Sequence, residues 1–285
     1  MMYTRILFIL ALFTLNACVI NSPGGIIRGG SGCGADNSDH AVQCRIKQKL
    51  KPVASKAALE NNIRQALNNN ELETVKAHVA LADRLYIAVD QQLRETYYQR
   101  LNQQGETMTA SYSAKELMTL TNQLISGKSI NIVEFGLSVM GFAAGASEYL
   151  LPQKMVEPTR VGVSVLQQGL RNREISSNFY TLIKQVFSEA INPTGIKQSW
   201  ANSSWTDKLS DPYTSLLAQN LDLDKFSSLF LPIYRMQQNT SLGGAVLMLK
   251  YVNDLESFKK VEQLTRIFKD GAPAVLDFLG TGAYQ

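Results

Sequence analysis

The chain has 285 residues, 45% apolar and 18% charged, which is ample material for a packed core and excludes global disorder. That length allows one large domain or two small ones. The net charge of +4 reads as too small and too dispersed for a nucleic-acid partner.

In chain order, the first element is a targeting segment. Arg5 precedes the apolar run Ile6, Leu7, Phe8, Ile9, Leu10, Ala11, Leu12 and Phe13, and Leu15, Asn16, Ala17 and Cys18 follow. A membrane-crossing helix needs about twenty apolar residues, while a signal-peptide core needs only about 7–15, so residues 1–17 are expected to be cleaved. Leu15, Ala17 and Cys18 resemble the lipobox of bacterial lipoproteins. The resemblance implies a diacylglycerol and an N-acyl chain on Cys18, and no other cofactor is expected. It also implies a membrane held through that anchor. In enterobacterial lipoproteins an Asp after the cysteine retains the protein at the inner membrane. Residue 19 is Val, which implies the outer membrane, inner leaflet, facing the periplasm. An ordinary signal peptide cut after Ala17 is the alternative.

Residues 18–44 read as a lipidated, glycine-rich tether, with Gly24, Gly25, Gly29, Gly30, Gly32 and Gly34 among Ser22, Pro23 and Ser31. About 20 residues of such a coil span on the order of 25 Å. With Cys18 acylated, Cys33 and Cys44 are left as an even pair in an oxidising compartment, so a disulfide is expected. A metal or redox pair is not, because only His40 is nearby and there is no Cys-x-x-Cys spacing.

Residues 45–285 read as a single all-α domain of roughly eight to ten helices, with a sub-boundary near 193–211. Ala57, Leu59, Ile63 and Leu67 mark a short helix, and Asn68–Asn70 a turn. Over 71–104, Leu72, Val75, Val79, Ala82, Tyr86, Val89, Leu93, Tyr97 and Leu101 recur at threes and fours, which predicts one long helix. Ser113 and Glu116 form a capping box, and Gly127 ends that helix. Another helix is expected over 130–151. Pro158 suits the first turn of the next one. Ile175, Phe179, Leu182, Ile183, Val186 and Phe187 form an amphipathic stripe. Asp211 and Pro212 read as a helix start, and Pro232 should kink or divide its helix. Leu255, Phe258, Val261, Leu264 and Phe268 share a face, and Gly271 and Pro273 punctuate a short C-terminal helix.

Several residues are candidates for function. Gly141 and Gly145, at small-xxx-small spacing in the uncharged stretch 135–147, suit helix packing or a lipid-facing role. Trp200, Trp205 and Tyr213 lie in a polar, loop-like stretch and are candidates for partner binding. Equally, they could seal the end of the bundle. His40 and His78 stand alone, and a single histidine on a helix is usually a surface or partly buried residue. No hydrolase, metalloprotease or phosphate-loop motif is present, so no catalytic residue or metal ligand is assigned. Glu134 and Glu148 flank the apolar stretch, as the single glutamate of a cell-wall-lytic enzyme might, but without the surrounding motif. The order of helices also resembles uncharacterised helical lipoproteins of proteobacteria over about residues 55–190, a resemblance that implies no activity. The leading expectation is a non-enzymatic scaffold or adaptor that binds another envelope or secretion-apparatus protein. An immunity or exclusion lipoprotein that blocks a toxin or incoming DNA is a second reading. A membrane-perturbing protein using 135–147 is a third. The oligomeric state is not legible.

Overall fold

The computed structural model describes residues 32–103, 114–146, 151–202 and 218–284. Cys18, most of the tether, Ser113, Glu148, Trp205, Asp211, Pro212 and Tyr213 lie outside the described residues, so the expectations placed on them do too. A compact body spans Gly34–Gln285. It is all-α: among the described residues there is no strand, only one antiparallel bridge between Ile191 and Leu221. Helix α1 (Asp39–Leu50) starts the body ahead of the expected residue 45, so Cys44 sits on a helix and not in the tether. Ser38 makes this start, since its side chain accepts from the N–H of Ala41.

α2 (Lys56–Asn68) and α3 (Leu72–Arg84) form the expected hairpin and bury Leu59, Ile63, Leu67, Val75 and Val79 against each other and the core. The predicted helix 71–104 is divided, however. α3 stops at Arg84, and α4 (Gln91–Gln103) begins after Asp90. The stop is a Schellman motif. Tyr86 takes φ +56°, its N–H donates to Asp83 O at 3.1 Å, and the Ile87 N–H donates to Ala82 O at 2.9 Å. Asp90 then caps α4 by accepting from the Gln92 N–H at 2.8 Å. Val79 and Ala82 before the turn and Val89 and Tyr97 after it are buried, whereas Tyr86 at the turn and Leu101 near the end of α4 are exposed, against the expected stripe, because the chain leaves the helix there. The same motif ends α2 at Asn70 (φ +59°) and α7 at Arg173 (φ +59°). Glycine fills this position in α5 (Ala114–Ile125), where Gly127 has φ +76°.

The centre of the body is built from α6 (Ile132–Ala146), α7 (Gln153–Arg171), α8 (Ser177–Ala190) and α10 (Leu223–Asn239). Phe187 from α8 meets Phe226 and Phe230 from α10 at ring separations of 5.2 and 6.3 Å. Two glycines let this aromatic cluster sit close to its neighbours. A Cβ on Gly136 of α6 would lie 2.9 Å from Phe187 Cε2, and one on Gly162 of α7 would lie 2.9 Å from Phe230 Cγ. The expected Gly145 plays no such part: it is exposed, with no described atom within 4 Å, and Gly141 is half-buried.

Two prolines depart from the sequence reading, one by lying deeper in its helix and the other by leaving its helix undivided. α7 begins at Gln153, so Pro158 is inside it and buried, not in its first turn. Pro232 lies inside α10, which runs through it undivided. Each proline removes one backbone hydrogen bond, and packing of the long α7–α10 pair offsets that loss. α9 (Pro193–Asn202) follows α8 and is capped by Asn192, whose Oδ1 accepts from the Gly195 N–H at 2.9 Å.

α11 (Leu242–Met248), α12 (Leu255–Phe268) and α13 (Ala272–Leu279) complete the body. On α12, Phe258, Val261, Leu264 and Phe268 are buried as expected, but Leu255 is exposed because it opens the helix. The described helices outnumber the expected eight to ten, since 39–50 is helical and 71–104 is divided.

Candidate functional site

A cleft of about 720 Å³ opens between the start of α3, the middle of α7, and α11, within the size range of ligand sites. Its walls carry the carboxylates of Glu71, Glu73, Glu174 and Asp277, the amides of Gln168 and Asn172 and, as the single cation among the described residues, Lys250. The helix ends place them. Glu71 follows the Asn70 turn, Glu174 follows the Arg173 turn, and Ser241 caps α11. Ser241 Oγ accepts from the Gly244 N–H at 3.0 Å and donates to Glu73 Oε2 at 2.6 Å, which joins α11 to α3.

Asp277 is the hub of the inner wall. Tyr251 donates its hydroxyl to Asp277 Oδ1 at 2.8 Å, Lys250 Nζ lies 3.7 Å from the same oxygen, and His78 Nε2 is 3.4 Å from Oδ2. Lys250 also lies 3.8 Å from Glu174. Burial pushes the Asp277 carboxyl up, but the bonds from His78 and Tyr251 and the charge of Lys250 outweigh it and hold Asp277 below its ordinary value. Burial, reinforced by the Asp277 charge, pushes the Tyr251 phenol up, so it stays a donor.

His78 corrects the sequence reading of a surface or partly buried histidine. It is 1% exposed, with its ring edge-on to Phe278 at 5.6 Å, and its Nδ1 meets no hydrogen-bonding partner among the described residues. So enclosed, it holds α13 to α3 through Asp277 and does not itself face the cleft. The sequence held one sign of this: His78 lies between Val75 and Val79 on the buried face of α3. Nothing local pointed to Asp277 as its partner, or to Tyr251 and Lys250 as the groups that share that carboxylate.

Of the other expected site residues, Gly141, Gly145, Cys33 and Cys44 do not line this cleft. Trp200 is part of α9, not of a loop. Cys33 and Cys44 are joined in a disulfide. His40 is exposed on α1, and Glu134 stands in the first turn of α6. Among the described residues no group of three or more His, Cys, Asp or Glu could hold a metal, and no helix is long and apolar enough to cross a membrane. An open, acidic, amide-lined cleft is suited to holding a cationic or hydrogen-bonding group.

No family model matches the sequence, and comparisons with curated proteins and with solved structures returned no significant match.

Proposed function

We propose that the protein is an exported, lipid-anchored helical binding protein of the bacterial envelope, a non-enzymatic scaffold or adaptor for another envelope protein. The observation that carries this reading is the Cys33–Cys44 bond on the first helix after the tether. Disulfides persist in oxidising compartments, which agrees with the export signal and lipobox-like residues before Cys18. The reading places the anchor in the inner leaflet of the outer membrane, with the body facing the periplasm. The cleft between α3, α7 and α11 is the surface offered to the partner. Membrane perturbation through 135–147 is disfavoured, because Phe135, Leu137, Val139 and Met140 are buried in the core and would have to be withdrawn from it.

Two measurements test the proposal. Behind a cleavable, non-lipoprotein signal peptide in place of residues 1–17, Cys18→Ser should release the protein from the membrane fraction; retention would refute the anchor. Crosslinking in intact cells, followed by purification, should recover one stoichiometric envelope protein, and Glu174→Lys or Glu73→Lys should weaken its recovery. Recovery of no partner, or recovery unaffected by both substitutions, would refute the adaptor role of the cleft.

A further inference from the structure

We propose that the corner made by α1 and the start of α2 docks on an anionic phospholipid surface. The protein's cations are not evenly dispersed. From residue 40 to residue 59 there is no Asp or Glu, while Arg45, Lys47, Lys49, Lys51 and Lys56 fall within that stretch. Lys49, Lys51 and Lys56 are exposed and Lys47 is half-buried. Lys47 and Lys51 face no carboxylate among the described residues. Lys56 has Glu60 at 3.7 Å, but Glu60 also lies 3.5 Å from Arg64 and accepts the Asp90 N–H at 2.9 Å. Lys49 donates to the carbonyl of Gly282 at 2.7 Å. Arg45 donates to the carbonyl of Asp36 at 2.9 Å, a neutral partner that holds the side chain without cancelling its charge.

The apex of the corner is apolar. Pro52 and Val53 join the two helices, both are exposed, and Lys51 and Lys56 flank them. A small apolar tip ringed by lysines suits the boundary between headgroups and acyl chains, where the tip enters and the ammonium groups meet phosphates. An acidic protein would satisfy the charges but gives the apolar tip no comparable place. The disulfide adds position: Cys44 lies on α1 between these cations, and its bond to Cys33 ties this helix to the segment that leads back to Cys18. The inference rests on the anchored reading for access to a bilayer, but its chemistry does not require the anchor.

The test uses the mature chain, residues 18–285, carrying Cys18→Ser, so that neither the signal segment nor an acyl chain contributes. Its partitioning onto phosphatidylcholine vesicles is compared with that onto vesicles rich in phosphatidylglycerol. The expected result is a marked preference for the anionic vesicles. Lys47→Gln, Lys51→Gln and Lys56→Gln together should reduce that preference by about a hundred-fold, at roughly five-fold per cation, which corresponds to about 1 kcal/mol for each lysine near an anionic leaflet. Lys154→Gln, Lys184→Gln and Lys259→Gln remove the same charge from exposed positions elsewhere and should preserve most of it. Raising the salt from about 0.1 M to about 1 M shortens the Debye length from about 10 Å to about 3 Å and should also abolish the preference. Equal binding to both vesicles, equal losses from the two triple variants, or retention on immobilised polyglutamate without binding to anionic vesicles would each overturn the proposal. Because the acyl chain is absent, a failure here leaves the Cys18 release experiment standing as a separate result.

Discussion

Alanine at Gly136 and at Gly145, on the same helix, should change stability in opposite directions. In an exposed helix interior Gly→Ala stabilises by about 1 kcal/mol through backbone entropy. Gly145 is exposed in the last described turn of α6, with nothing described within 4 Å of its Cβ position, so Gly145→Ala should gain less than about 1 kcal/mol. At Gly136 the new Cβ would lie 2.9 Å from Phe187 Cε2 and nearer still to Cδ2. The Phe187 ring cannot easily yield: it is fully buried, with Phe226 and Phe230 beside it. Overpacking of this kind costs about 1–3 kcal/mol, so after the helix-propensity gain Gly136→Ala should lose up to about 2 kcal/mol. For a body of this size that is a fall of up to about 8 °C in Tm. Urea unfolding followed by circular dichroism at 222 nm reads both variants. Adding Phe187→Leu to Gly136→Ala should cost less than the sum of the two single changes, because it removes the atoms in conflict. If Gly136→Ala stabilised the protein as much as Gly145→Ala, the proposed close approach of α6 to α8 would be wrong.

Three further outcomes are expected. Tyr86→Gly should stabilise by about 0.5–1 kcal/mol, because glycine adopts the positive φ without the cost that tyrosine bears, and Tyr86 is 92% exposed and gives up no packing; Tyr86→Ala, which keeps a Cβ, should show no gain. Asp39 is held down to about 2 by hydrogen bonds from Arg266 and Gln263. A carboxyl depressed in the folded state contributes stability above its unfolded value, near 4, and loses it as pH falls through about 2. Wild type should therefore lose stability relative to Asp39→Asn between pH 4 and pH 2, by about 1 kcal/mol once solvent screening of this half-exposed pair is allowed for; parallel pH profiles of the two proteins would refute it. Reduction of the Cys33–Cys44 bond should cost about 3 kcal/mol in the loop-entropy account, and Cys33→Ser with Cys44→Ser should match the reduced wild type in urea, where an unchanged midpoint would show that the bond constrains nothing.

Apolar spacing and cap chemistry settled much of this molecule before any contact was known. The all-α class, the Asn70 turn, the stop at Gly127, the buried Phe179, Ile183 and Phe187, and the start of α13 at Gly271 and Pro273 are local properties. Each depends on side-chain period or backbone preference within a few residues, so the sequence states them directly. The Cys33–Cys44 bond is the pair expected from the sequence once Cys18 is set aside.

Tertiary structure decided the rest. The spacing over 71–104 records most of the buried residues, not which way the chain runs. A turn that exposes Tyr86 but keeps Val89 and Tyr97 inside therefore leaves most of the pattern in place. Pro158 and Pro232 lie within helices because contacts between α7 and α10, distant in sequence, outweigh the lost backbone bonds. His78 carries no mark of its partner, since Asp277 reaches it only when α13 packs on α3. The acidic cleft is likewise assembled from α3, α7, α11 and α13, and no segment of the chain contains enough of it to be read alone. Burial and backbone preference are written along the chain, whereas the meeting of charges across helices exists only once the helices have packed.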